Sequence, residues 1–150
     1  MTKEEIYAIP QIKLTYVSDC KPKEKTRCSS ESAKMFRQFF DDGEIDYRES
    51  FKVMFLNRAN RILGIQNISD GATDMCIVDK KMVFSAALLS NATSIILCHN
   101  HPSGNLTPSI HDDKLTDQIK NGAELLGMKV LDHIILTRES FYSYCDNGKI

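Results

Sequence analysis

The spacing of apolar residues changes character several times along the chain, and each change marks an element. Gln11 to Val17 alternates as Ile12-Lys13-Leu14-Thr15-Tyr16, the period of a half-buried strand, and Asp19 to Arg27 follows as a polar, Lys-rich loop with Pro22. From Ser29 or Ser30 the period lengthens. Ala33, Phe36, Phe39 and Phe40 fall on one helical face, an aromatic stripe that reads as core packing. Phe51, Val53 and Phe55 restore alternation, and after a short turn at Asn57–Asn60 the stretch Arg61–Ile65 completes an antiparallel hairpin, with Ser69-Asp70-Gly71 as the next turn.

Val78 to Leu89 returns to helical spacing through Val83, Phe84, Ala87 and Leu88, ending near Asn91. The unbroken apolar run Ser94–Cys98 is short and rich in isoleucine, which predicts a central strand buried on both faces, with His99 at or just beyond its carboxyl end. Ser109 to Leu126 predicts a helix that turns Ile110, Leu115, Ile119, Ala123 and Leu126 to the core and stops at Gly127. Lys129–Thr137 is a further strand, and Ser140–Ile150 a closing strand with a turn at Asp146-Asn147-Gly148. Helices interleaved with hairpins predict an α/β (α+β) fold, a mixed sheet with helices packed on it.

Length and charge narrow the function classes. A chain of 150 residues fits one domain with a core of its own. Nineteen basic and twenty acidic residues give a formal charge of −1, so the overall balance builds no strong field for nucleic acid or an anionic membrane. Lys21, Lys23, Lys25 and Arg27 could touch a phosphate backbone, but with Glu24 among them they read as a solvated loop. No apolar stretch approaches the roughly 20 residues of a membrane span, and Met1–Ile6 lacks a signal-peptide core; a soluble, cytoplasmic protein is expected. Five cysteines with no CxxC pair fit neither a disulfide framework nor a thiolate zinc ribbon, and Cys98 reads as a core thiol facing away from the neighbouring histidines.

The chemistry concentrates between His99 and Asp112. In an extended strand i and i+2 share a face, so His99 and His101 can aim both imidazoles at one point. Ser109 and Asp112, one helical turn apart, can approach the same point. Two histidines and one aspartate make three protein ligands, the number typical of a catalytic zinc that keeps its fourth position for water, whereas structural sites close with four. Ser109-Ile110-His111-Asp112 also reads as a capping box. Thr107-Pro108, however, offers a cap followed by proline at the first helical position, which would release Ser109 and Asp112 for the metal. His111 and Asp113 are rotated about 100° away on either side and should not reach it. His133, preceded by Asp132, reads as a satisfied histidine at a strand start, the alternative being a partner that orients a ligand. A hydrolytic site also needs a base, and Glu49, at the head of a strand, is the candidate; taken alone it reads as an ordinary strand-end carboxylate.

This set resembles the signature of the JAMM (JAB/MPN) metalloproteases: an upstream Glu, His-x-His, seven residues, Ser, two residues and Asp. Within that superfamily it is most similar to the bacterial RadC family, through His99-Asn-His-Pro-Ser-Gly104, Pro108-Ser109, Asp112 and Asp132-His-Ile-Ile135. The similarity runs from about residue 29 to the end, with 1–28 an N-terminal strand and basic loop. The resemblance implies one zinc ion held by His99, His101 and Asp112, Glu49 as acid/base for a zinc water, and Ser109 as support for the oxyanion. It implies a cytidine-deaminase-like three-layer sandwich and hydrolysis of a peptide or isopeptide amide in a protein or peptide substrate. A deaminase is disfavoured because His-x-Glu followed by Pro-Cys-x-x-Cys is absent. Family members commonly carry a helix-hairpin-helix segment thought to contact DNA, and this sequence shows none, so a DNA role loses its main carrier; the alternative to a hydrolase is a non-catalytic or DNA-associated binding module with a zinc site. Where relatives often have Pro-Arg-Glu, Lys80-Lys81-Met82 stands here, and lysine cannot reproduce a bidentate arginine contact.

Overall fold

The computed structural model describes residues 10–13, 15–18, 24–72 and 76–150. Its elements run α1 (Ser29–Arg37), β1 (Ser50–Leu56), β2 (Ile62–Asp70), α2 (Lys80–Leu89), β3 (Ser94–Asn100), α3 (Ile110–Leu125), β4 (Lys129–Leu136) and β5 (Phe141–Ser143). The strands form one mixed sheet in the order β2-β1-β3-β4-β5. β1 is antiparallel to both β2 and β3, β3 and β4 run parallel through the α3 crossover, and β5 returns antiparallel to β4. This is the expected α/β architecture with a mixed sheet.

Alternation along the two central strands builds two cores. Phe51, Val53 and Phe55 of β1 with Ile95 and Leu97 of β3 face α2 and α3, meeting Val83, Ala87, Leu115, Ile119 and Ala123. Met54, Leu56, Ile96 and Cys98 face the other way, onto Ala33 and Phe36 of α1. Helices on both faces give three layers. By the same alternation His99 follows Ile95 and Leu97 onto the α3 side, while Cys98 is a core thiol on the α1 side, raised well above its ordinary pKa by burial.

Close packing and chain reversals are set by a few residues. A Cβ on Gly122 would stand 2.8 Å from the Phe84 ring, so glycine lets α3 approach α2. α3 ends in a Schellman arrangement in which Met128 N donates to Ala123 O and Gly127 N to Glu124 O, with Gly127 at φ +74, as its place after the last apolar residue predicts.

Several expectations are corrected. The described residues of 11–17 form no strand; their side-chain anchor is Tyr16 Oη donating to Leu63 O, and Leu14 lies outside the described residues. α1 stops at Arg37, so Phe39 turns outward at 54 % exposure and Phe40 slides under the Lys52 ammonium. α3 starts at Ile110 rather than Ser109, which leaves Ile110 77 % exposed at the helix mouth, and Leu126 at its far end is also exposed. The closing strand is only Phe141–Ser143: Tyr144 N still donates to His133 O in the same register, and then Gly148 N to Cys145 O and Lys149 N to Tyr144 O fold the chain into a turn. Among the described residues no helix is long and apolar enough to cross a membrane.

Candidate metal centre

Three elements converge at the carboxyl end of β3. His99 lies inside the strand, and His101 extends its parallel ladder by donating its backbone N–H to Leu136 O, so both imidazoles emerge on the α3 side. A tight turn follows: Gly104 N donates to His101 O, and Gly104 sits at φ +80, a conformation open to glycine at little cost. The reversal brings the Asn105 carbonyl 2.6 Å from His101 Nδ1. A carbonyl only accepts, so His101 Nδ1 carries the proton and its Nε2 presents a lone pair.

Asp112 enters from the first turn of α3, and here the expected cap is wrong. Thr107-Pro108 does not cap the helix; Ser109 does, accepting from Asp112 N at 3.0 Å while its own N–H donates to Asp112 Oδ2 at 2.9 Å. The reason is reciprocity. With Thr107 as cap the third helical residue would be Ile110, which offers no acceptor, whereas with Ser109 it is Asp112. Capping does not remove Asp112 from the site: its Oδ1 lies 3.3 Å from His99 Nε2 and its Oδ2 3.3 Å from His101 Nε2.

Glu49 stands just before β1, fixed by Glu49 N donating to Ala72 O and Gly71 N to Glu49 O. It is buried, and Oε1 reaches 3.6 Å from His99 Nε2. An exposed strand-end carboxylate is therefore the wrong description.

The four ligand atoms of Glu49, His99, His101 and Asp112 lie within 4.8 Å of one another. Ligands about 2.0–2.2 Å from a tetrahedral centre stand about 3.3–3.6 Å apart, and the His–Asp distances match; the two Nε2 atoms are slightly closer, at 3.0 Å. At that separation a proton on His99 Nε2 or a metal cation would satisfy the His101 lone pair. The donor set thus fits a divalent metal. Charges agree: burial opposes ionisation of Asp112, but His101 and His99 against it hold its carboxyl far below the usual carboxylate range. Burial lowers His99, whereas for His101 burial is outweighed by Asp112 and the Asn105 carbonyl, and its pKa rises.

The cluster opens into a cavity of about 530 Å³ with an apolar side formed by Phe51, Cys76 and Leu115 and a polar mouth that includes Ser109 and His111. His111 is exposed, and Asp113 turns away to accept from Tyr144 Oη and Lys149 Nζ, so neither joins the four. His133 is not merely a satisfied strand histidine: it is fully buried, with Nε2 2.8 Å from His99 Nδ1. Asn100, the middle residue of His-x-His, went unassigned from sequence. Its Oδ1 accepts from Ser50 N, and its Nδ2 donates to Ile45 O and Arg48 O, so it ties the segment carrying Glu49 to β3. The only sequence signal was a polar residue closing an apolar strand. Of the basic segment, Arg27 pairs with Glu31, the backbone of Lys25 forms an isolated antiparallel β-bridge with that of Arg61, and Lys21 and Lys23 lie outside the described residues.

A UPF0758 protein of Flavobacterium johnsoniae is 44 % identical over 106 residues, covering 71 % of this chain and 46 % of its own length. One from Geotalea uraniireducens is 40 % identical over 116 residues, 77 % of this chain and 51 % of its own. A third, from Clostridium botulinum, is 40 % identical over 103 residues, 69 % and 45 %. The chain spans about half the length of these curated relatives. A family model described as the RadC-like JAB domain matches residues 26–149, and the chain belongs to that family.

Proposed function

We propose that this protein is a zinc-dependent hydrolase of the JAMM type that cleaves a peptide or isopeptide amide with an activated water. The observation that carries the reading is the buried Glu49 carboxylate beside three convergent ligands at the base of an open cavity. His99, His101 and Asp112 would hold the ion, and zinc, when bound, supplies a Lewis acid that polarises a carbonyl and acidifies water.

The remaining steps belong to the chain's own groups. Glu49 accepts the proton of the attacking water and passes it to the departing amine nitrogen, so the C–O bond forms, the C–N bond breaks and the proton balance closes. The Asp112 N–H occupies an acceptor lone pair of the Ser109 hydroxyl, which leaves the O–H as a donor toward the oxygen where negative charge develops. Phe51, Cys76 and Leu115 lower the local polarity and strengthen both interactions. A protein or peptide substrate suits a cavity that is open along one side.

Elemental analysis of the wild type beside His101→Ala, followed by a peptide-library cleavage screen on zinc-loaded protein, tests the reading. Glu49→Gln should keep the metal and lose on the order of 10²–10⁴ in turnover. A wild type that takes up no zinc, or full activity in Glu49→Gln, refutes it.

A further inference from the structure

Behind His99 runs a chain of short contacts that leads back to the helix supplying Asp112. His99 Nδ1 is 2.8 Å from His133 Nε2, His133 Nδ1 is 2.6 Å from Thr116 Oγ1, and Thr116 Oγ1 is 2.7 Å from the carbonyl oxygen of Asp112. His133 is fully buried and Thr116 nearly so, which keeps water from replacing any link. Tyr144 stacks on the His133 ring, centroids 4.8 Å apart and planes within 14°, and is itself held by Tyr144 Oη donating to Asp113. The His133 ring therefore cannot swing away without disturbing both α3 and the tail.

The polarity of this chain follows from its last member. A carbonyl oxygen only accepts, so the single hydroxyl proton of Thr116 goes to Asp112 O. Thr116 Oγ1 must then accept from His133, which places the His133 proton on Nδ1 and leaves a lone pair on Nε2. That lone pair accepts from His99 Nδ1–H, and the remaining lone pair of His99, on Nε2, points at Asp112 and His101. The reversed polarity would forfeit the Thr116–carbonyl bond and put a proton on His99 Nε2, between His99 and the other ligands.

We propose that His133 and Thr116 are positioning residues that hold His99 in the Nδ1–H tautomer, with its Nε2 lone pair turned into the cluster of Glu49, His101 and Asp112. Thr116 is one helical turn beyond Asp112, so α3 delivers one ligand directly and orients a second through β4. Partners behind a ligating histidine typically account for 10–100-fold in metal affinity. The effect on affinity rests on the metal-site reading above; the tautomer itself does not.

Two measurements on the whole chain separate these. Long-range ¹H–¹⁵N spectra of the metal-free protein at pH 8 report which ring nitrogen of His99 is protonated, with exposed His111 as an internal reference. Cobalt(II) affinity by chelator competition, with the visible spectrum as a geometry readout, is taken on the same samples. The wild type and Thr116→Ser should show His99 protonated at Nδ1 and equal affinities. Thr116→Val, which keeps the shape and loses the hydroxyl, should shift His99 toward the Nε2–H form and weaken cobalt binding about tenfold while its circular dichroism stays native. His133→Gln, whose amide can accept from His99 and donate to Thr116, should stay closer to wild type than His133→Leu. A wild-type His99 protonated at Nε2, or a Thr116→Val protein matching wild type in tautomer and affinity, overturns the proposal. If the wild type binds no cobalt, the metallohydrolase reading fails, and the ring-nitrogen spectra still decide the relay.

Discussion

Asn100→Asp changes one atom and should cost more than most surface deletions. The Asn100 amide is fully buried and makes three hydrogen bonds: it accepts from Ser50 N at 2.8 Å and donates to Ile45 O at 2.8 Å and Arg48 O at 3.0 Å. A carboxylate keeps the first and turns both donations into contacts between a buried negative charge and carbonyl oxygens. Two lost bonds at about 0.5–1.5 kcal/mol each, together with desolvation of an unpaired charge, give roughly 3–5 kcal/mol at neutral pH. In a domain of this size that corresponds to a fall in Tm of about 6–20 °C. The sign of the pH dependence is fixed by the same argument. The introduced carboxyl has its folded pKa raised above an unfolded value of about 3.9, so the charge part of the penalty is absent below about pH 4 and grows as pH rises to the folded value, while the single O–H of the neutral acid leaves one of the two carbonyls without its donor at any pH. Urea midpoints of Asn100→Asp and wild type should lie closest near pH 4, with a gap of about one hydrogen bond, and separate further by pH 7.5. Because His99, His101 and Asp112 do not depend on this tie, zinc uptake should persist while the Glu49 segment loosens. Equal midpoints at pH 7.5, or loss of zinc with Glu49 still in place, would refute the role given to Asn100.

Further outcomes follow from packing and from the ligand set. Gly122→Ala, which would gain about 1 kcal/mol in an open helix, should destabilise by roughly 1–2 kcal/mol because its Cβ meets Phe84, and should become stabilising in a Phe84→Leu background; urea unfolding of the four proteins decides. Cys28, exposed and with its thiol lowered by the Ser30 hydroxyl, should react with a disulfide reagent in the native protein, whereas Cys98 should react only after unfolding; mass mapping distinguishes them. Zinc at about 100 times its Kd should raise Tm by roughly 5–10 °C over the EDTA-treated protein, and an unchanged Tm argues against a folded-state metal site. Ser109→Ala should cost about 1 kcal/mol of stability and retain zinc, while Asp112→Asn should spare most of the stability and lose zinc; calorimetry with metal analysis on both checks the division.

What could be read from the sequence divides along the range of the interactions involved. The apolar run of β3 and the apolar face of α3 at Leu115, Ile119 and Ala123 declare themselves because burial is fixed by a local period. His99 and His101 share a direction for the same reason. The stretch 11–17 has the alternation of a strand but no ladder among the described residues, since pairing requires a neighbour that the alternation does not supply. Phe39 and Ile110 were misplaced by one turn or less, where the helix end, not the period, decides exposure. Asn100 is beyond reach, and for His133 an orienting role stands only as the alternative to a satisfied strand histidine, for a different reason: Asn100 bonds Ser50 N, and His133 bonds His99, at least 34 residues away in sequence, and nothing in a single chain records such a contact.

The capping box at Ser109 and Asp112 is more than a rival explanation for two site residues. Because the carboxylate that caps the helix is the one facing both imidazoles, forming α3 already orders that ligand, and its conformational entropy is lost during folding instead of on metal binding. The same holds around the cluster. His101 is oriented by the Asn105 carbonyl, His99 by His133, and the segment leading to Glu49 by Asn100 and the backbone of residues 71 and 72. Each of these partners is a backbone group, is bonded to one, or in the case of His133 reaches one through the Thr116 hydroxyl, so the positions of the candidate ligands are set by secondary structure. The cavity rim is tied locally instead: Asn105 N donates to the Ser103 hydroxyl and Thr107 N to Asn105 Oδ1, while His111 is exposed at the mouth. A scaffold of this kind fixes the candidate ligands tightly and would leave the surface that chooses a substrate free to vary.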